Sequence, residues 1–307
     1  MGNESEVQSR PPLVERLAGA PISWGICEVP GWGKQLGVER VLGEMHSLGL
    51  KATELGAAGW LPPDPDAINE ALGRHELAAM AAFVPLVLQD AAQFDAQMDS
   101  AEQNAALLEA VGASCFVTAL VNDPNDWQRP SMTAAEWKQL YRGLAAVDEI
   151  AAAHGLTQVL HPHANTLVEQ ADEIELVLAN TEVQFCLDTG HLTLGHADPV
   201  AFARAHADRV GLVHLKDVRL AVAERWRSGE LTLMQAVQAG MFACLGQGDV
   251  DIQRVVTDLE ATGYDGWYVF EQDVAITGAE PASGEGPYDD VKASVAFMRE
   301  LAASARS

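Results

Sequence analysis

Four short motifs each bring a histidine, aspartate or glutamate to the end of a short apolar run. His161-Pro162-His163 follows Thr157 to Leu160, and Asp188-Thr189-Gly190-His191 follows Val183 to Leu187. His214-Leu215-Lys216-Asp217 follows Val210 to Val213, and Glu271-Gln272-Asp273 follows Trp267 to Phe270. Imidazole combined with carboxylate suits Mn2+, Co2+, Fe2+ or Zn2+, whereas Mg2+ prefers more oxygen. Asp188, His214 and Glu271, with one histidine of the His161-Pro162-His163 motif, are therefore the expected ligands of a divalent metal. A lone histidine at a strand end is more often structural. Four strand ends in agreement are a poor match to chance.

Several neighbours carry weaker signals. His191, three residues after Asp188, suits a substrate contact or a loop cap. Lys216 stands out in a chain of five lysines, and its charge suits a developing enolate; an ion pair with Asp217 is the plainer reading. Glu54, in Thr53-Glu54-Leu55-Gly56, is placed to touch substrate or a metal ligand's other face. Trp24, Trp32 and Trp60 follow the first two strands and are as suited to core as to pocket wall. His46, His75, His154 and His206 fall on helices or helix ends and read as surface or packing groups.

The elements that must position these groups alternate from end to end. Strands are expected at Ala20–Trp24, Lys51–Leu55, Leu77–Leu86 and Ala113–Ala119, then before each of the four motifs. Helices are expected between them, one opened by a capping box of Thr133 and Glu136, and several closed by glycine, such as Gly49, Gly112 and Gly155. Eight strand–helix units without a linker favour closure of a parallel sheet into one (β/α)8 barrel spanning residues 1–307. Residues 1–17 read as a polar N-terminal extension. Residues 219–248 break the rhythm as an inserted loop after strand seven. Its apolar stretch, Leu231 to Leu245, suits a lid or a subunit interface. An open doubly wound sheet is the competing arrangement, but no GxGxxG follows the first strand.

Composition narrows the function classes. A formal charge of −25 argues against nucleic acid as partner, since phosphate binding needs a basic surface. Hydrophobic residues at 48% and charged residues at 21% suit a globular core. No run approaches ~18 uninterrupted apolar residues, so no membrane span is expected. Cys27, Cys115, Cys186 and Cys244 are far apart and form no CxxC pair, which fits buried hydrophobes in a reducing compartment. With a polar N-terminus that lacks a signal peptide's apolar core, the expected location is cytoplasmic.

At these motifs the chain resembles the xylose isomerase-like TIM-barrel superfamily of sugar isomerases, epimerases and dehydratases, and within it the inosose (2-keto-myo-inositol) dehydratases. The stretches that carry the likeness are Gly19-Ala-Pro-Ile-Ser-Trp24, Thr53-Glu-Leu-Gly56, His161-Pro-His163 and Asp188-Thr-Gly-His191. Val213-His-Leu-Lys-Asp-Val-Arg219, Gly246-Gln-Gly-Asp249 and Gly266-Trp-Tyr-Val-Phe-Glu-Gln-Asp273 complete it. Two loops depart from the inosose dehydratase pattern. Gly25-Ile26-Cys27-Glu28 stands where Asn-Asp-Asp is usual, and Ala164-Asn165-Thr166 where Met-Gly-Thr is usual.

The resemblance implies a mechanism. Epimerases similar to this chain use two metal-bound glutamates, on strands five and eight. Here strand eight keeps Glu271 while strand five offers His161, which disfavours two-glutamate epimerisation and favours removal of water from a keto-cyclitol or keto-sugar. The expected metal set is His161, Asp188, His214 and Glu271, holding Mn2+ or Co2+ foremost, with Fe2+, Zn2+ or Mg2+ as options. His163, Lys216, His191 and Glu271 are the expected catalytic groups, and Glu54, Trp24, Asp217 and Arg219 the expected substrate contacts. A homo-oligomer, dimer or tetramer, is also implied. The competing readings are a ketose or inosose isomerase or epimerase, a lyase that releases an aglycone from a 3-keto-glycoside, and a non-catalytic sugar-binding subunit.

Overall fold

A computed structural model describes residues 10–124 and 128–304. In chain order the first half runs β1 (Leu17–Gly19), α1 (Val38–Ser47), β2 (Ala52–Glu54), α2 (Pro65–Arg74), β3 (Ala78–Leu86), α3 (Phe94–Ala110), β4 (Cys115–Leu120) and α4 (Ala134–Ala153). The second half runs β5 (Thr157–Leu160), α5 (Ala171–Asn180), β6 (Gln184–Asp188), α6 (Thr189–Leu194), α7 (Pro199–Ala205), β7 (Val210–Leu215), β8 (Asp217–Val218), α8 (Leu220–Arg227), α9 (Leu233–Gln238), β9 (Phe242–Ala243), α10 (Ile252–Thr262), β10 (Tyr268–Phe270) and α11 (Pro287–Ser304). Eight strands close a parallel barrel in the order β1-β10-β7-β6-β5-β4-β3-β2, while β8 and β9 pair as a separate antiparallel ribbon.

Two apolar layers follow from the strand period of two. Side chains pointing inward, such as Ala18, Ala52, Ala81, Val117, Val159 and Val269, fill the barrel with small groups. Those pointing outward, such as Leu17, Phe116, Leu160, Phe185, Leu187 and Phe270, join the helices in the larger core. The same alternation fixes the register of the site. Asp188 pairs with His214, and Phe270 with Leu215, so the inward groups of β6 and β7 and the residue just past β10 reach one level at the strands' C-terminal ends.

The ends of the helices follow the sequence closely. Thr133 and Glu136 form the reciprocal capping box at the start of α4. The first strand differs from expectation: β1 is Leu17–Gly19, and Pro21–Trp24 winds into a 3-10 turn. Proline has no N–H for the ladder and its fixed φ suits the first position of a helical turn, so the strand stops before it. The stretch 1–17, expected as an extension, is packed at its end: Leu13 and Leu17 are buried, and Arg16 bonds Glu260 at 2.7 Å. Residues 1–9 lie outside the described residues. Among the described residues no helix is long and apolar enough to cross a membrane.

Candidate metal centre and active site

The four strand-end motifs converge. His161, Asp188, His214 and Glu271 offer ligand atoms that all lie within 4.8 Å of one another. His161 Nε2 stands 3.3 Å from Asp188 Oδ2, and His214 Nδ1 stands 3.8 Å from the same oxygen. His214 Nδ1 also touches Glu271 Oε2, outside hydrogen-bond geometry. Asp188 serves twice: its Oδ1 accepts the His191 N–H at 2.7 Å as N-cap of α6, leaving Oδ2 for the cluster.

Glu54 decides which nitrogen of His214 is available. Its Oε1 lies 2.9 Å from His214 Nε2. A carboxylate only accepts, so Nε2 keeps its proton, and Nδ1, facing Asp188 and Glu271, is the nitrogen whose proton a cation would replace. The Nδ1 atoms of His161 and His214 are both buried without a hydrogen-bond partner. Of the two, His214 Nδ1 faces the Asp188 and Glu271 carboxylates, and a buried ring nitrogen left unpartnered there is costly unless a cation completes it. The set of two imidazoles and two carboxylates fits a divalent transition metal.

Lys216 is fully buried behind this cluster. Its ammonium donates to Glu271 Oε1 at 2.7 Å, lies 2.9 Å from Asp273 Oδ1 and from His191 Nε2, and 3.5 Å from Asp188 Oδ2. Gly190 lets the lysine stem pass, since a Cβ there would come within 2.6 Å of Lys216 Cγ. Burial alone would raise the Asp188 and Glu271 carboxyls; Lys216 with His161 at the first, and His214 with Lys216 at the second, outweigh it and hold both below the usual carboxylate range. At Asp273 burial wins, and its carboxyl is pushed up despite Lys216.

A cavity of about 630 Å³ opens over the strand ends. Glu54, His163, His214, Glu271 and Asp273 line it. Lys216 and His191, expected as acid–base groups, are not among its lining residues; both lie behind the carboxylates. His163 Nδ1 is 2.8 Å from the Ala164 carbonyl, so it donates there and Nε2 is the ring's acceptor. Burial, then His161 and Lys216, push this imidazole down to about 3, which keeps it neutral at pH 7. A shallower groove of about 590 Å³ beside α7 and α10 contains none of these residues.

Three expected substrate contacts lie elsewhere. Trp24 is fully buried and its indole N–H donates to Glu44 Oε2 at 2.8 Å, so it is core. Arg219 donates to the Gly240 carbonyl at 2.7 Å and braces the turn into β9. Asp217 is wholly occupied by backbone: it accepts from Val218 and Val250 at Oδ1 (2.9 and 3.1 Å) and from Gly246 and Gly248 at Oδ2 (both 2.9 Å). A Cβ at Gly248 would collide with that carboxylate. Asp217→Ala is expected to cost about 3 kcal/mol through orphaned N–H groups, and to raise amide exchange selectively at 246–250. Unchanged exchange there would refute the clamp.

Sequence reasoning left Asp273 without a role although it sits in the Glu271 motif; its position past an inward residue was the available signal. It also left open what 219–248 does. Thr232, Leu233 and Met234 of this segment line the cavity, and its apolar residues pack with Trp32 of the first loop.

A parallel eightfold barrel with His, Asp and Glu gathered at its C-terminal mouth defines the class of metal-site TIM barrels. The model of the xylose isomerase-like TIM barrel matches residues 42–301, and this chain belongs to that family. It is 32% identical over 275 residues to an inosose dehydratase of Geobacillus kaustophilus (strain HTA426), covering 85% of this chain and 89% of that protein. It is likewise 32% identical over 276 residues to the rhizopine catabolism protein MocC of Rhizobium meliloti, covering 87% and 84%. Among solved structures, an IolI protein with a bound zinc atom aligns with a TM-score of 0.70 at 15% identity over 94% of this chain and 98% of that one, a likeness of fold.

Proposed function

We propose that this protein is a metal-dependent dehydratase that removes water from a keto-cyclitol or keto-sugar, with 2-keto-myo-inositol as the first substrate to test. The observation that carries elimination over epimerisation is the occupant of strand five. A two-glutamate epimerisation needs carboxylates at the ends of strands five and eight, and β5 leads into His161 instead. The inosose dehydratase relatives at about one-third identity support the same choice.

His161, Asp188, His214 and Glu271 would hold the metal, with Mn2+ or Co2+ foremost. Such a metal supplies Lewis-acid polarisation of a ketone, which acidifies the neighbouring C–H. His163 Nε2 would accept that hydrogen as a proton, because its Nδ1–H is committed to Ala164; pushed down to about 3, the ring is a weak base and relies on acidification of the C–H by the metal. The released electron pair forms the C=C bond, the β-carbon–oxygen bond breaks, and the departing hydroxyl takes a proton from Asp273. The products are water and an unsaturated ketone, and proton exchange with solvent resets both groups. Lys216, with His191 at its ammonium, positions Glu271 and Asp273 from behind, and Glu54 orients the His214 ring.

The test is direct. The purified protein is analysed for metal and incubated with a panel of cyclic and open ketoses, and products are read by mass spectrometry. Loss of one water from a keto-cyclitol is the expected result. Hydrogen exchange with no mass loss would establish an isomerase or epimerase instead, and a metal-free, inert protein would mark a binding subunit.

A further inference from the structure

The cavity is chemically divided. Its floor, at the strand ends, carries Glu54, His163, His214, Glu271 and Asp273. Its outer part is built by segments beyond the strands and is apolar: Ile26 and Trp32 from the loop after β1, and Leu233 and Met234 from the start of α9. Polar atoms on that side are few, and some are already engaged. Trp32 donates its indole N–H to the Val274 carbonyl at 2.7 Å. Thr232 caps α9, its hydroxyl oxygen accepting the Gln235 N–H at 3.2 Å. The Cys27 thiol is neutral, pushed up to about 12 by burial. Glu28, exposed at the rim, is the one charged group on this side.

A bare polyhydroxylated ring placed against that wall would surrender more hydrogen bonds to water than Ile26, Trp32, Leu233 and Met234 can replace. At about 630 Å³, within the roughly 300–1,000 Å³ of small-molecule sites, the cavity has room for a ring on the polar floor and a substituent beyond it. The apolar wall is also built firmly: Trp32, Leu233 and Met234 belong to one cluster with Val218, Ala236 and Phe242, tied to the barrel through the β8–β9 ribbon.

We propose that the substrate ring carries an apolar substituent, an O-alkyl or O-aryl group, seated against Ile26, Trp32, Leu233 and Met234 while the hydroxylated ring occupies the polar floor. This rests on the keto-sugar reading above and narrows its substrate class. Segment 219–248 is then a specificity wall of the active site.

The experiment pairs binding with turnover, using the protein with its metal as purified. Isothermal titration compares phenyl and methyl β-D-glucoside as non-reacting probes, and 2-keto-myo-inositol turnover is measured alongside. Burying a phenyl-sized apolar group predicts affinity about 10- to 100-fold tighter for the phenyl probe. Met234→Ser, at a partly exposed position, is expected to remove about fivefold or more of that gap, on the scale of a few buried methylenes. Equal affinities for the two probes would overturn the apolar-substituent inference even if 2-keto-myo-inositol is dehydrated. A strong phenyl preference that Met234→Ser reduces would uphold it even if no ketose in the panel loses water, a result that overturns only the dehydratase reading.

Discussion

Asp188→Asn is expected to leave the protein folded, empty its metal centre and lower turnover by about 10²–10⁴-fold, the several kcal/mol that Lewis-acid assistance supplies. The substitution keeps the side chain's size and an oxygen for the His191 N–H that it caps at 2.7 Å. What it removes is the negative charge at Oδ2, which stands 3.3 Å from His161 Nε2 and 3.5 Å from the Lys216 ammonium. Metal content by mass spectrometry should drop from near one ion per chain to near none; a variant that retained full metal would remove Asp188 from the ligand set. The centre also has a predictable pH response. Burial disfavours a charged His214, but Cys186, Glu271 and Glu54 around it outweigh that, and its pKa stands well above the usual imidazole value. A metal held by His214 would have to displace a proton from this ring, so its affinity should rise with pH and its binding should release protons into the buffer. The metal-free protein runs the other way. Stability from the charged ring is complete below the unfolded value of about 6.5 and is lost as pH climbs through the raised folded value.

The parts of this site that could be read from sequence are those written in local chemistry. His161, Asp188, His214 and Glu271 each stand at the end of an apolar run, and the period of two in a strand decides that His214 faces in while Leu215 faces out. The Thr133 and Glu136 capping box is similarly local. The expectations that failed depended on partners distant in sequence. Trp24 is core because Glu44, twenty residues on, accepts its indole N–H, and nothing in the Trp24 motif announces that. Asp217 looked like a group at the mouth, but four amides, three of them brought back by the segment after β9, consume it. The α6 turn was missed because Thr189-Gly190-His191 is short and contains glycine, a poor helix former, and only the Asp188 cap makes it helical. The wall formed by Leu233 and Met234 depends on where the β8–β9 ribbon folds, which no local pattern specifies.

Lys216→Met should separate positioning from proton transfer. The lysine is wholly buried and meets three carboxylates, Glu271 at 2.7 Å, Asp273 at 2.9 Å and Asp188 at 3.5 Å. Removing one partner of a buried ionic group leaves uncompensated charge, which costs about 3–5 kcal/mol, and at roughly 2–4 °C per kcal/mol for a protein of this size the melting temperature should fall by about 6–20 °C. Burial already pushes Asp273 above the ordinary carboxylate range, and losing Lys216 raises it further. The variant's deficit is therefore largest at neutral pH and shrinks as pH falls and the carboxyl takes up its proton. His163→Gln is the contrasting variant. Its ring is neutral at pH 7 and hydrogen-bonds Ala164, a contact glutamine can replace, so the melting temperature should move little and metal content not at all. Turnover should nonetheless fall by about 10²–10⁴-fold, the range of a general base. If His163→Gln kept full activity, the base would have to be sought elsewhere. If Lys216→Met melted like the parent, the buried lysine would not be the counter-charge that keeps Glu271 and Asp273 in place.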